Sequence, residues 1–333
     1  MVPRRSERLR MARLTKFSAL AAIFAVAAIL LFPSGARADL LFTGDDWGTS
    51  LYEFDTSVGK SSMVVYSDEL HGVNGLTWDS KSNLFVSDYG SHSIIKFTPD
   101  GNHETFAQLD SSGGGLVFDS DGNLFVPFQW AGRIDKLSPD GSSSSTFADK
   151  QGAPVQLAFD RMGNLFAADQ KSGNVYKFVP DGTRTAFATG LKANALFFDS
   201  KGALLVGSGR LIYKFAPDGS RKTFAMAPRP VSGLAFDSRG NLFSVDGSGD
   251  VYEFKNKSGV LATKAILFAQ DLGHDYFITV MPGSLPSASP WANSLSSWKF
   301  WLLLLLLLAA CAGVGWWLYR KKRRTLAASD ASS

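Results

Sequence analysis

Between residues 39 and 280 the apolar residues do not recur at helical spacing. They come in short runs separated by Ser, Gly, Asn and Asp, the pattern of brief β-strands joined by tight turns. Five runs end in an aromatic residue followed by Asp: Trp78-Asp79, Phe118-Asp119, Phe159-Asp160, Phe198-Asp199 and Phe236-Asp237, at intervals of 38–41 residues. A turn rich in Ser, Gly and Asn follows each, then a strand such as Leu84-Phe85-Val86. A further strand recurs six times, as SLYEF (50–54), SIIKF (93–97), RIDKL (133–137), NVYKF (174–178), LIYKF (211–215) and DVYEF (250–254). Four copies run into Pro-Asp-Gly turns (99–101, 139–141, 180–182, 217–219), where Pro presets φ and Gly accepts φ > 0. A last strand then appears six times, from Val64-Val65-Tyr66 to Leu267-Phe268-Ala269.

Four antiparallel strands per repeat of about 40 residues predict an all-β, six-bladed β-propeller, because so small a sheet buries its faces only against its neighbours. The innermost strand has five clear copies, and the first repeat begins at its second strand, Leu41-Phe42-Thr43. The missing copy is predicted at Tyr276-Phe277-Ile278-Thr279-Val280, a C-terminal strand that completes the first blade and closes the ring. This strand count disfavours a seven-bladed ring or an open solenoid. Helix is expected only in the two segments at the chain ends.

Those ends carry membrane signals. Residues 1–38 are basic, then apolar (17–32), then end in Ala36-Arg37-Ala38, the layout of a cleavable secretory signal; an uncleaved anchor is the other reading. Residues 298–319 contain an uncharged stretch long enough to span a bilayer, with Trp298, Trp301, Trp316, Trp317 and Tyr319 at its two edges. The basic tail 320–333 follows, and a Pro/Ser-rich linker, 281–297, precedes it. The predicted arrangement is a single-pass membrane protein with the propeller outside the cytoplasm and the C-terminus inside. A surface-sorting signal is the second reading of the tail, in which Leu285-Pro286-Ser287-Ala288-Ser289 lacks the sortase motif's Thr-Gly pair.

Composition alters the picture in one respect. The net charge of +4 is concentrated in the ends, which leaves the body acidic and argues against a nucleic-acid partner. The single Cys311 excludes an intrachain disulfide and any cysteine-based structural zinc site.

The strands are labelled a to d from the ring axis outward. The start of a, the end of b and the b–c loop share one face; the a–b and c–d turns share the other. The turn face repeats nearly unchanged, so a ligand site is sought on the first face, where the repeats differ. Strand a starts at Asn74, Gly114, Val155, Asn194 and Ser232, and strand b ends at Asp45, Asp88, Phe128, Asp169, Ser208 and Asp246. The oxygen donors Asn74, Asp88, Asp169, Asn194 and Asp246 suit a divalent cation such as calcium. The other reading, favoured because the Asp recurs in several repeats, is that each carboxylate caps its b–c loop. The third repeat departs most, with Gly113-Gly114-Gly115 and Phe128-Gln129-Trp130; its rings suit stacking on a sugar or plugging the channel. Among the four histidines His71 falls near Asn74, whereas His92 and His103 read as loop residues and His274 precedes the closing strand.

The units at 75–101 (GLTWDSKSNLFVSDYGSHSIIKFTPDG) and 233–254 (GLAFDSRGNLFSVDGSGDVYEF) resemble NHL repeats and those of the gluconolactonase/regucalcin-like superfamily over roughly residues 40–280. The resemblance implies a six-bladed ring that binds proteins, carbohydrates or other ligands on one face, with lactone hydrolysis in one branch. That branch holds a divalent metal at the channel mouth. Val73-Asn74-Gly75-Leu76 looks like its Asn-Gly motif, but Gly114 stands where its metal-binding Asp is expected and its Glu-Gly-Pro motif is missing. The Pro-Asp-Gly repeats are also similar to those of streptogramin-lyase-type propellers, without a matching catalytic acid and base. The expected function is a protein- or carbohydrate-binding module, and the alternative is a metal-dependent lactonase-type hydrolase.

Overall fold

The computed structural model describes residues 39–45, 47–274 and 277–281. The signal 1–38, the linker beyond Met281, the span 298–319 and the tail 320–333 lie outside the described residues. Among the described residues no helix is long and apolar enough to cross a membrane.

Six four-stranded antiparallel sheets form the blades of a propeller. Blade 2 comprises Val73–Trp78, Leu84–Asp88, Ser93–Phe97 and His103–Gln108, in that order from axis to rim. Blades 3 to 6 follow the same plan, with inner strands Val117–Phe118, Pro154–Phe159, Ala193–Phe198 and Val231–Phe236. Blade 1 is built from both ends of the domain: Ile278–Met281 lies inside Leu40–Gly44, with Leu51–Asp55 and Val64–Ser67 outward. The pairs Leu40–Met281, Leu41–Val280, Phe42–Thr279 and Thr43–Ile278 close the ring, and the Thr43 hydroxyl donates to the Phe277 carbonyl (2.9 Å). The closing strand runs one residue past its expected end.

Aromatic wedges between blades explain the repeating aromatic-Asp pair. Phe85 of strand b meets Phe106 of its own strand d and Phe118 of the next blade's strand a, both edge-on at 4.9 Å between centroids. Phe125 packs likewise on Phe147 and Phe159, Phe166 on Phe187 and Phe198, and Phe42 on Tyr66 and Trp78. Each edge-to-face pair contributes roughly 0.5–1.5 kcal/mol beyond the area it buries. The Asp that follows organises the a–b turn. Asp237 accepts from the Asn241 amide N–H (2.8 Å) and side-chain nitrogen (2.7 Å), and Asp79, Asp119 and Asp160 repeat this with Asn83, Asn123 and Asn164. Blade 5 has Ala203 in place of the Asn, and there Lys214 Nζ donates to the free oxygen of Asp199 (2.5 Å).

Three details depart from the expected pattern. A 3-10 turn, Lys60–Ser62, is present in blade 1, where only strands were expected. Blade 6 replaces the Pro-Asp-Gly turn with a small hairpin of Asn256–Lys257 and Val260–Leu261. Blade 3's inner strand is only two residues long, since Gly114 and Gly115 turn their N–H groups to the carbonyls of Pro127 (2.8 Å) and Val155 (2.9 Å). A Cβ on Gly115 would stand 2.6 Å from the Phe277 ring, so the glycine run permits this close approach to the axis.

Candidate functional site

A cavity of about 690 Å³ opens on the face where strands a begin. All five counted starts of strand a, Asn74, Gly114, Val155, Asn194 and Ser232, line it, and Phe277 completes the circle from the closing strand. Around them stand Trp47, His71, Tyr89, Ser112, Gln129, Trp130 and Gln170. The five starts converge because their inner strands reach the axis at the same register, and Phe277 stands one position further along its own strand.

The residues that end strand b sit behind this wall. Asp88 is buried and accepts from the His71 N–H (2.9 Å) and the Ser91 hydroxyl (2.8 Å), with His71 Nδ1 at 3.3 Å. Asp169, also buried, accepts from the N–H groups of Gly152 (2.8 Å), Ala153 (3.1 Å) and Ser172 (2.8 Å). Asp246 takes the N–H groups of Ser248 (2.9 Å) and Asp250 (3.1 Å), while its other oxygen faces Arg229 Nε at 3.6 Å, too long for a hydrogen bond. Asp45 accepts from the N–H groups of Trp47 (3.0 Å) and His274 (3.2 Å). Each carboxylate therefore ties down a loop, as Asx turns do. Among the described residues no three His, Cys, Asp or Glu side chains are grouped to hold a metal ion. Of the five oxygen donors considered for calcium, Asn74 and Asn194 reach the cavity and Asp88, Asp169 and Asp246 do not. The Asn74 amide nitrogen donates to the Gly113 carbonyl (2.8 Å).

Phe128 turns inward and is fully buried, with the Arg133 guanidinium 4.4 Å from its ring centroid. Trp130, two residues on, is the ring of that pair that lines the cavity, and it is 79% exposed. Trp47 is equally open at 81% and leans on His274, centroids 5.2 Å apart. Tyr89 is exposed between them, so blades 1, 2 and 3 present an aromatic arc. The opposite arc is built of amides: Gln129 donates to Gln170 Oε1, and Gln170 approaches Asn194 Oδ1 at 3.5 Å. None of the described residues that line the cavity is Asp, Glu, Lys or Arg. His71, the one imidazole among the described lining residues, is oriented by the buried Asp88.

Trp47, Tyr89, Ser112, Gln129, Gln170 and Phe277 were not among the expected site residues. Most lie one or two positions beyond the ends of strand b. The signal was available: a capped Asp points back into its own loop, so the next side chains face the axis.

Neither a family model nor a curated protein sequence matches the chain. Solved structures do. A chain of a nidogen/laminin complex is similar at 19% identity and a TM-score of 0.63, over 73% of this chain and 97% of that one. The gluconolactonase XC5397 from Xanthomonas campestris aligns at 19% identity and 0.54, over 73% and 84%. A catalytically inactive virginiamycin B lyase from Staphylococcus aureus with quinupristin aligns at 13% and 0.52, over 77% and 88%. The chain thus has the six-bladed propeller fold found in gluconolactonase and virginiamycin B lyase structures.

Proposed function

We propose that the chain is a membrane-anchored extracytoplasmic binding module that holds a neutral glycan in the axial cavity. The observation that carries this reading is the lining: exposed Trp47, Tyr89 and Trp130 on one arc, the amides of Gln129, Gln170 and Asn194 on the other, and no Asp, Glu, Lys or Arg among the described lining residues. A pyranose offers apolar C–H faces to flat rings and hydroxyls to amides, which both donate and accept. An acidic glycan finds no Lys or Arg to pair with among the described residues of the wall. About 690 Å³ lies within the usual range for a small-molecule pocket and accommodates a few sugar residues. The anchoring rests on the apolar segments at 17–32 and 298–319.

A glycan array probed with detergent-solubilised full chain tests the assignment. Neutral hexose oligosaccharides should be retained and uronate-rich ones should not. Retention of acidic glycans alone would overturn it.

A second reading is favoured by one feature, the His71 imidazole held on the cavity wall by Asp88 (3.3 Å). An imidazole so oriented is suited to general-base chemistry on a bound ligand, including lactone hydrolysis. With Asp88, Asp169 and Asp246 engaged by loops, Asn74 and Asn194 alone make a poor divalent-cation site, so a metal-dependent hydrolase is the weaker form of that reading. Turnover of a lactone panel that is lost in His71→Ala and unaffected by EDTA would favour the enzyme.

A further inference from the structure

Exposed large apolar side chains gather in two places on this propeller. One is the cavity mouth. The other is the outer part of the adjoining blades 1 and 6, a corner where Val58, Met63, Val64 and Val65 of one and Val260, Ile266 and Leu267 of the other are exposed; Met162 and Met226 are exposed singly elsewhere. The two blades are in contact there, Phe54 of one meeting Phe268 of the other at 5.8 Å.

This corner belongs to the turn face, opposite the cavity. Strands alternate in direction, so the c–d connections and the starts of strands d lie on the same side as the a–b turns. Blades 2 to 5 make that connection with Pro-Asp-Gly, each presenting a carboxylate. Hydrogen bonds from Ser138 and Ser142 hold Asp140 down to about 2, and Asp100, Asp181 and Asp218 are likewise lowered by neighbouring Thr98, Thr183 and Ser220, so all four stay charged. Arg184 and Arg221, two residues past the turns of blades 4 and 5, lie over the rings of Tyr176 and Tyr213. Blades 1 and 6 break the rule. Their connections carry exposed Lys60, Lys255, Lys257 and Lys264 among the apolar residues, and no Pro-Asp-Gly. The acids at this corner are already engaged: Asp55 accepts from Ser57, Asp237 from Arg239, and Glu253 is buried with Lys255 at 3.8 Å.

Both ends of the domain leave from the same face. Leu40 starts strand b and Met281 ends strand a, and they are paired with each other. The chain continues from Met281 for 16 residues before the apolar segment at 298–319. A linker of that length reaches about 50 Å when extended, enough to let the turn face rest on a bilayer that the segment enters.

From the lysines, the apolar side chains and the exit point of the chain, we propose that the corner of blades 1 and 6 is a lipid-contact surface that seats the propeller on an anionic bilayer. Valine, isoleucine and leucine enter the interface, lysine ammonium groups meet lipid phosphates, and the four acidic turns tilt the rest of the face away. The cavity then opens away from the membrane. This inference is independent of what the cavity binds and shares only the anchoring with the function proposed above.

The test uses the full chain in nanodiscs of phosphatidylcholine with phosphatidylglycerol, in a Cys311→Ala background. A fluorophore is placed at Val260→Cys or, on the same face, at Ser142→Cys, and quenched by nitroxide-headgroup lipid. Quenching at 260 should be at least threefold stronger than at 142, and should fall toward the level at 142 in Lys60→Glu/Lys257→Glu/Lys264→Glu. Equal quenching at the two positions in chain that co-elutes with the discs overturns the corner and leaves the anchoring intact. Failure to co-elute overturns both. Concentration-dependent self-quenching at 260 without lipid quenching would assign the corner to a second copy instead, and would also overturn the proposal.

Discussion

The two faces of this ring are made by the same strands yet have opposite characters. On the turn face, Asp79, Asp119, Asp160, Asp199 and Asp237 do one job with nearly one set of partners. Where blade 5 loses the Asn, Lys214 supplies the missing donor. On the cavity face, the equivalent positions carry Asn74, Gly114, Val155, Asn194 and Ser232, no two neighbours alike. Repetition marks what every blade needs to fold, and divergence marks what only one place in the ring can do.

The comparison breaks most visibly at Asp237. Its side chain is fully buried and holds Asn241 and the Arg239 guanidinium (3.0 and 2.8 Å). Asp237→Ala should cost about 3 kcal/mol, since it strands buried donors, and lower Tm by roughly 6–12 °C in a thermal scan. On the cavity face the prediction inverts. Trp47→Ala/Trp130→Ala removes two exposed rings, so Tm should stay within about 1 °C while glycan affinity falls roughly 30-fold, or about 2 kcal/mol, by calorimetry. A Tm loss in this variant comparable to that of Asp237→Ala would erase the distinction between the faces.

Blade 5 sharpens it further. Lys214→Met should cost about 1 kcal/mol by leaving one oxygen of Asp199 unmet, and adding Ala203→Asn should restore most of it, read from denaturant midpoints. Failure of the rescue would mean that the Lys acts otherwise than as the amide's substitute.

Acid gives the smallest effect. Burial pushes Asp119 up, but hydrogen bonds from Asn123 and the Lys136 ammonium outweigh it and leave the carboxyl below its ordinary value. Asp199, opposed by burial in the same way, is lowered by Lys214. Their stabilisation is complete above the unfolded carboxylate value of about 3.9 and is lost as pH falls through the lower folded values. Tm should therefore hold from pH 7 to about 5 and drop below about 4, and Asp119→Asn should make that drop shallower.

The fold was legible because each blade repeats one sentence of sequence. Tyr276–Val280 fitted the pattern of strand a closely enough to be placed as the closing strand. What escaped was the turn at Lys60–Ser62 and the hairpin around Val260, in the blades that lack Pro-Asp-Gly, and the shortened inner strand of blade 3. In the site, counting back to the starts of strand a landed on cavity residues because inner strands keep register at the axis. Counting forward along strand b landed one residue short. A carboxylate at that position folds back to collect loop N–H groups, as Asp169 does with Gly152 and Ala153, and hands the cavity to Gln170. Phe128, with no carboxylate, still points inward under Arg133, which left Trp130 as the exposed ring.

The central claim is that the glycan binds in the cavity on the diverged face. It is tested most directly by titrating full chain with a neutral hexose oligosaccharide retained on the array, comparing wild type with Trp47→Ala/Trp130→Ala in one calorimetric series with EDTA present. The account predicts one saturable site in the wild type, unaffected by EDTA, and weakened roughly 30-fold in the variant. Equal affinity in the two proteins, or binding abolished by EDTA, would contradict it.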